Sequence, residues 1–296
     1  MIVGFFRFSP FSFLLYCIFA QILSMDVIAK IQQTVDFINS RYNAQPTVGV
    51  VLGSGLGGFI DYVEIEHEIP YADVPNFPVS TVEGHHGKLI FGRLGGKSLV
   101  IMAGRFHFYE GYSPADIVFP IRVMKKLGVE NLFLSNAAGG VNTSFHVGDL
   151  MIIHDHISMS IVNPLIGKNI SELGPRFPDM SEPYSKKLIA LGLDVAKRLG
   201  HTVRQGVYYG VTGPTFETRA EYKMISIMGA DAVGMSTVQE VITAIHCGMT
   251  VFAVSVITDL GIREEENIIT HDEVLEAANL AAPKLTSIFK EMILSL

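Results

Sequence analysis

The chain has 296 residues, of which 49% are hydrophobic and 17% charged, and its formal net charge is −7. A chain of this length and composition can bury a large core, and the negative charge without a basic stripe argues against nucleic-acid binding. The two cysteines, Cys17 and Cys247, are too few for a disulfide framework, so we expect a reducing, cytoplasmic compartment.

The first 24 residues differ from the rest, because they are rich in Phe, Leu and Ile and carry one charge, Arg7. A targeting signal is one interpretation, although no good cleavage site follows the apolar centre. A membrane anchor is a second, but Pro10 interrupts a span that needs about 20 apolar residues. We favour a third, a mistranslated leader before a true start at Met25, since an amphipathic helix follows Met25 directly. Residues 25–296 then form the mature domain, for which no membrane attachment is expected.

Helix-period segments and apolar, β-branched runs alternate along the rest of the chain, as βα units require. In chain order the sequence predicts helix Asp26–Arg41, strands Thr47–Leu52, Leu89–Leu94 and Ser98–Ala103, helix Pro114–Leu127, strands Asn131–Ser135 and Leu150–His154, helix Lys186–Leu199, strand Val207–Val211, helices Arg219–Met228 and Thr237–Cys247, strand Val251–Ile257 and helix Thr270–Leu296. Strands that are apolar on both faces predict a sheet covered by helices on both sides. No linker or repeat divides the chain, so we expect a single α/β domain.

The first predicted strand ends in VVLGSGLGG, where Gly53, Gly55 and Gly58 fit the G-x-G-x-x-G pattern of dinucleotide-binding enzymes. A dinucleotide fold needs a long helix next, but Pro70 and two further prolines follow within 20 residues, which argues against it. Two interpretations remain: a tight turn without a ligand, or an anion site built from exposed amides and the Ser54 hydroxyl.

A second glycine-flanked segment, GRFHFYEG, follows the strand that ends at Ala103. On an extended chain, Arg105, His107 and Tyr109 would share one face, and together they offer anion donors and a ring for a sugar. The alternative interpretation is that these three side chains are exposed to solvent and bind no ligand. His85 and His86 are adjacent and cannot readily chelate one ion, so a phosphate contact or a surface loop is favoured over a metal.

Three further segments carry small or polar residues at strand ends. The segment Asn136–Gly140 lets a ligand approach the backbone closely, and Phe216 with Glu217 could stack a heterocycle and accept its N–H groups. Ser236 precedes a predicted helix, whose N-terminus favours anions. In an open α/β sheet these strand ends meet at the carboxyl edge, which predicts one pocket for a phosphate, a ribose and a purine.

The motifs GSGLGG, STVEGHHG, GRFHFYEGY, NAAGGVN, GPTFET and GADAVGMST together resemble the trimeric purine nucleoside phosphorylases of the nucleoside phosphorylase family. The resemblance runs from about Asp26 to the C-terminus. It implies a single domain with a central mixed β-sheet flanked by helices, a homotrimer, and reversible phosphorolysis of purine (deoxy)ribonucleosides to free base and (deoxy)ribose 1-phosphate, in purine salvage. Inorganic phosphate would be the co-substrate, with no metal and no organic cofactor.

The same resemblance implies roles for individual residues. Ser54, His85, Arg105, His107, Ala137 and Ser236 would bind phosphate; Tyr109, Met235, His271 and a neighbouring subunit's Phe177 would contact ribose; Phe216, Glu217, Val233, Gly234 and Asp259 would surround the base. Asp259, Glu217 and His107 would be catalytic.

One position departs from the family pattern: Asp259 stands where the purine-specifying residue is usually Asn. An ionised Asp only accepts hydrogen bonds and favours a 6-amino purine, whereas a protonated one could donate. The methylthioadenosine phosphorylases resemble the chain at this point, but Glu217 and His271 favour ordinary purine nucleosides. The alternatives are therefore a methylthioadenosine phosphorylase or, in another class, a non-catalytic nucleotide-binding module.

Overall fold

The computed structural model of the chain describes residues 27–43, 45–54, 56–79, 87–262 and 269–296. The interpretations of residues 1–24 and the phosphate-binding role expected of His85 lie outside the described residues. Of the described helices, none combines the length and the apolar composition that crossing a bilayer needs.

In the described ranges, nine strands form a single mixed sheet. They are β1 (Val48–Leu52), β2 (Glu64–Pro70), β3 (Lys88–Leu94), β4 (Lys97–Ala103), β5 (Asn131–Gly140), β6 (Leu150–Ile157), β7 (Arg204–Gly210), β8 (Ala232–Gly234) and β9 (Thr250–Leu260), in the order β2-β3-β4-β1-β5-β8-β7-β6-β9. β1 pairs parallel with β4 and β5, and β5 pairs parallel with β9. The carboxyl ends of these four strands therefore lie at one edge, which is where α/β sheets bind ligands.

The sheet is not open, contrary to the sequence-based expectation. β5 pairs with both β8 and β9, and β9 also pairs with β6, so β5, β8, β7, β6 and β9 form a closed ring. Closure removes the free edge that β9 would otherwise have and brings distant segments around the end of β5.

Helices cover the sheet: α1 occupies the described residues 27–41, followed by α2 (Pro114–Leu127), α3 (Lys186–Arg198), α4 (Arg219–Ile227), α5 (Val238–His246) and α6 (His271–Leu294). Their ends follow from local chemistry. Ser113, Thr218 and Thr270 each begin a helix with a capping box, in which the hydroxyl accepts from the third helical amide and a carboxylate bonds back. Gly128 ends α2 in the left-handed region at φ 115°, which glycine adopts without steric cost.

The core lies between the sheet and these helices. Phe133 of β5, Phe252 of β9 and Phe289 of α6 are each buried, with ring centroids 5.4–6.0 Å apart. Tilted and edge-on contacts of this kind are favourable for aromatic rings and fix α6 against the central strands.

The structure differs from the predicted elements at two strands and at several ends. β2 was missed because it is an edge strand with mostly exposed, charged residues, and β8 because three residues are too short for a pattern. β5 continues five residues beyond Ser135, through small residues, to Gly140. The helix boundaries agree within two residues where they are described.

Candidate active site

A cavity of about 510 Å³ opens at the carboxyl edge of the parallel strands. It brings together thirteen of the fifteen residues expected to form the site: Ser54, Arg105, His107, Tyr109, Ala137, Phe216, Glu217, Val233, Gly234, Met235, Ser236, Asp259 and His271. Of the other two, His85 is not described, and Phe177 does not line the cavity. The Phe177 side chain is 86% exposed on the surface of this subunit.

The glycine turn after β1 forms the floor of one end of the cavity. A Cβ atom on Gly53 would lie 2.7 Å from the carbonyl oxygen of Ser135 and 2.9 Å from the Cα of Asn136, so only glycine fits against β5 there. The Gly53 amide donates to the Ser135 hydroxyl at 3.2 Å. The chain then forms a 3-10 helix and the antiparallel strand β2, not the long helix that a dinucleotide-binding unit requires.

Arg105 is the charged centre of this anion end, which we define as Ser54, Arg105, His107, Ala137 and Ser236. It follows β4 and is 1% exposed. Its Nε atom pairs with the buried Glu240 carboxylate at 3.2 Å, and its Nη1 atom donates to the Ser135 carbonyl at 2.8 Å and the Ser236 hydroxyl at 3.2 Å. These contacts fix the guanidinium at the cavity wall, where its planar donors suit a bidentate oxyanion.

His107 is a buried imidazole held from both sides. Its Nδ1 atom lies 2.9 Å from a Glu110 carboxylate oxygen, and its ring stacks on Tyr109 with centroids 4.6 Å apart. Burial lowers the pKa of His107, and the positive charge of Arg105 lowers it further against the opposing effect of Glu110. Tyr109 lies in the 3-10 helix Phe108–Glu110, so the expected extended conformation stops at His107.

Ser236 and Thr237 join β8 to α5 through an unusual turn. Thr237 has φ 70° and ψ −52°, and it begins α5 without a side-chain cap. Asn136 of β5, buried and lining the cavity, donates from Nδ2 to the Thr237 hydroxyl at 2.8 Å. The N-terminus of α5 therefore faces the anion end, where its amides favour negative charge.

Two carboxylates line the same cavity in a second group, which we call the base end and define as Phe216, Glu217, Val233, Gly234 and Asp259. A register shift between Ala138 and Gly139 against β9 leaves Thr258 unpaired and sets Asp259 opposite Gly139. A Cβ on Gly139 would lie 2.9 Å from Asp259 Oδ2, so glycine makes room for this carboxylate. Burial raises the pKa of Glu217, and the nearby Asp259 raises it further. The end thus offers directed hydrogen-bond groups to a polar heterocycle.

Tyr109, Met235 and His271 also line the cavity. His271 is the first residue of α6 and follows the capping residue Thr270. Burial raises the pKa of Tyr109 to about 12, so its hydroxyl stays protonated and can donate. Within the described part of the chain, no three His, Cys, Asp or Glu side chains group closely enough to hold a metal ion.

Sequence reasoning assigned no role to several residues that the fold brings here. Glu240, Asn136, Glu110, Tyr222 and Thr258 line the cavity or support residues that do. The sequence feature that could have identified Glu240 is its position on the apolar face of a predicted helix. A carboxylate at such a position is expected to pair with a buried cation. Nothing local identifies Arg105 as that partner, because the two residues are 135 positions apart.

Known proteins resemble this chain in sequence and in fold. A family model described as the phosphorylase superfamily matches residues 47–294. Purine nucleoside phosphorylase 1 of Geobacillus stearothermophilus is 56% identical over 246 residues, which cover 83% of this chain and 90% of the relative. The structure of Schistosoma mansoni purine nucleoside phosphorylase in complex with adenosine has a TM-score of 0.87 at 43% identity and covers 91% of this chain and 98% of its own. A Schistosoma purine nucleoside phosphorylase in complex with guanosine has a TM-score of 0.84 at 41% identity, covering 91% and 97%.

Proposed function

The chain belongs to the phosphorylase superfamily, and from this premise we propose that it is a purine nucleoside phosphorylase, which cleaves purine (2′-deoxy)ribonucleosides with inorganic phosphate. The products are the free purine and (deoxy)ribose 1-phosphate, as purine salvage requires. The observation that carries the proposal is a single cavity that is lined by Arg105, by Ser236 next to the start of α5 and by the two carboxylates Glu217 and Asp259. An anion and a polar heterocycle are the ligands that such a cavity suits.

Phosphate binding is the first step that the site supports. The Arg105 guanidinium, the hydroxyls of Ser54 and Ser236, and the backbone of Ala137 would hold the anion, with His107 as a further partner. Because the pKa of His107 is lowered, its imidazole is neutral near pH 7. Its Nδ1–H then donates to the Glu110 carboxylate at 2.9 Å, so its Nε2 atom can accept a hydrogen bond from a protonated phosphate oxygen. As the glycosidic bond stretches, the sugar becomes positively charged, and the bound phosphate stabilises that charge.

The base end would stabilise the leaving purine. Negative charge develops on the purine as the bond breaks, and a hydrogen bond or proton at N7 disperses it. Asp259 can supply this when protonated, and Glu217 can accept from N1–H of a 6-oxo purine. Phe216 offers a ring face for stacking, while His271, Tyr109 and Met235 would contact ribose. The His271 imidazole can form a hydrogen bond with a ribose hydroxyl but not with a methylthio group, so it favours ordinary nucleosides over methylthioadenosine.

A matched pair of arginine variants tests this function. With inosine, the wild type should release hypoxanthine only when phosphate is present, with ribose 1-phosphate detected by phosphorus NMR. Arg105→Gln should lower kcat/KM for phosphate by roughly 100-fold or more, as the loss of an oxyanion donor does. Arg198→Gln is the control, because Arg198 pairs with Asp194 on the exposed face of α3. Release of free ribose without phosphate, or binding of nucleotide without turnover, would contradict the proposal.

We also propose that the protein is a cytoplasmic homotrimer that uses no metal or organic cofactor. What supports assembly is the long segment between β6 and α3, where Met159, Ile166 and Phe177 are 76–86% exposed. Large apolar side chains exposed together usually mark a protein interface. In a trimer, Phe177 would reach the neighbouring subunit's ribose. Light scattering at micromolar concentration measures the mass directly, and a monomer that is fully active would refute this part.

A further inference from the structure

Thr237 has a backbone conformation that its residue type disfavours. In the described ranges it is one of two non-glycine residues with positive φ, and it is β-branched. The Val238 amide donates to the Ser236 carbonyl at 2.7 Å, which closes a γ-turn of the rare, strained kind. Such strain persists only where surrounding contacts impose it, and it is concentrated at functional sites.

The contacts that impose this turn form a chain of hydrogen bonds. Asn136 Nδ2 lies 2.8 Å from Thr237 Oγ1, and Thr237 Oγ1 lies 3.1 Å from Ser236 Oγ. Arg105 Nη1 approaches the same Ser236 oxygen at 3.2 Å. Asn136 and Thr237 are each 1% exposed, so within this buried network hydrogen-bond direction matters.

The donors at the two ends of this hydrogen-bond network constrain the direction of the protons in it. Asn136 Nδ2 and Arg105 Nη1 can only donate. Thr237 Oγ1 accepts from Asn136, and Ser236 Oγ is the acceptor that its contacts offer for its own proton. The opposite direction between the two hydroxyls would leave the buried Thr237 proton without an acceptor. Ser236 Oγ then accepts from Thr237 and from Arg105, which uses both of its lone pairs. The proton of Ser236 is left for a partner outside this network, either the buried Tyr208 hydroxyl, which accepts from the Ser236 amide at 3.4 Å, or a ligand in the cavity.

We propose that Asn136 and Thr237 are positioning residues that fix the Ser236 hydroxyl as a hydrogen-bond donor to the phosphate. The strained turn is what places the Thr237 hydroxyl between Asn136 and Ser236. A hydroxyl that can only donate forms a good hydrogen bond to an oxyanion but cannot accept one from a neutral ligand that donates. The network therefore adds selectivity for phosphate as well as affinity. This inference rests on the proposed phosphorolysis, because it names how one donor of that site is oriented.

The test is a double-mutant cycle on phosphate affinity. Thr237→Val keeps the β-branched shape and removes the hydroxyl, and Thr237→Ser keeps the hydroxyl. We expect Thr237→Val to raise KM for phosphate about 10-fold, the usual effect of disorienting a hydrogen bond to a charged group, with KM for inosine little changed. Thr237→Ser should restore most of the phosphate affinity. In a Ser236→Ala background, Thr237→Val should have almost no further effect, because the hydroxyl through which it acts is gone.

Asn136→Leu provides a second route if Thr237→Val does not fold. It removes the Asn136 donor of the hydrogen-bond network without adding charge. We expect it to raise KM for phosphate as Thr237→Val does, and to have almost no effect on that KM in the Ser236→Ala background. If either variant raises KM for phosphate equally with and without the Ser236 hydroxyl, or if KM for both substrates changes in parallel, the inference is wrong. If the wild type shows no dependence on phosphate at all, the proposed function fails instead.

Discussion

Replacing Glu240 with Gln tests how the fold holds a buried positive charge at the anion end. Arg105 is 1% and Glu240 3% exposed, and their charged atoms are 3.2 Å apart. At that distance the attraction is about 5 kcal/mol for an effective dielectric constant of about 20. Removing one partner of a buried pair costs about 3–5 kcal/mol, since the other charge is left without compensation. The Gln side chain can still accept from Arg105 Nε, so we expect a loss of about 3 kcal/mol.

Thermal unfolding measures this loss. For a chain of 296 residues, about 3 kcal/mol corresponds to a fall in Tm of roughly 5 °C. Phosphate should raise the Tm of Glu240→Gln more than that of the wild type, because the anion replaces the missing negative charge. Asp194→Asn is the control: it disrupts an Arg–carboxylate contact of 3.0 Å on the exposed face of α3, where such pairs contribute about 0–1 kcal/mol. Equal Tm values for the two variants, with equal responses to phosphate, would refute the reasoning.

Three other changes test separate parts of the site. Gly53→Ala should raise KM for phosphate at least 10-fold, because the new Cβ would lie 2.7 Å from a backbone oxygen of β5. Gly58→Ala is the control and should leave this KM unchanged, because the space around Gly58 is open. Steady-state kinetics with variable phosphate compares the two variants. Asp259→Asn should raise the ratio of kcat/KM for inosine over adenosine by about 10-fold, since an amide both donates and accepts; an unchanged ratio would remove Asp259 from base selection. His107→Gln should flatten the pH dependence of the free energy of unfolding. Because the pKa of His107 is lowered in the folded state, the stability contribution of its neutral imidazole is complete above about pH 6.5. That contribution is lost as the pH falls towards the folded-state pKa. Urea midpoints between pH 7.5 and 5.5 measure that slope, and identical slopes would contradict the assignment.

The sequence predicted what local rules determine. Helices α2, α4 and α6 begin where a Ser or Thr is followed three residues later by an acidic residue, and their predicted starts agree with the structure within one residue. Apolar runs located β1 and β9, whose residues are almost all buried. Edge strand β2 escaped because exposure on both faces weakens the alternation on which strand prediction depends.

The cavity was predictable as a set of residue types at strand ends, but its internal contacts were not. Arg105 with Glu240 and Asn136 with Thr237 are pairs more than 100 positions apart in the chain, and only the tertiary fold brings each pair together. The positive φ of Thr237 also has no local signal, because a β-branched residue is the least expected at that conformation. Only the surrounding tertiary contacts impose it.

The charges at the anion end explain why the orientation of donors should matter so much there. Arg105 is the one formal cation among the contacts described at this end, and the carboxylates of Glu240 and Glu110 lie against it and against His107. Since burial lowers the pKa of His107, its imidazole adds no positive charge at neutral pH. These four groups therefore have no surplus of positive charge to hold a divalent anion. Binding must depend on directed N–H and O–H groups and on the start of α5, so affinity should respond more to the geometry of Ser236 than to ionic strength.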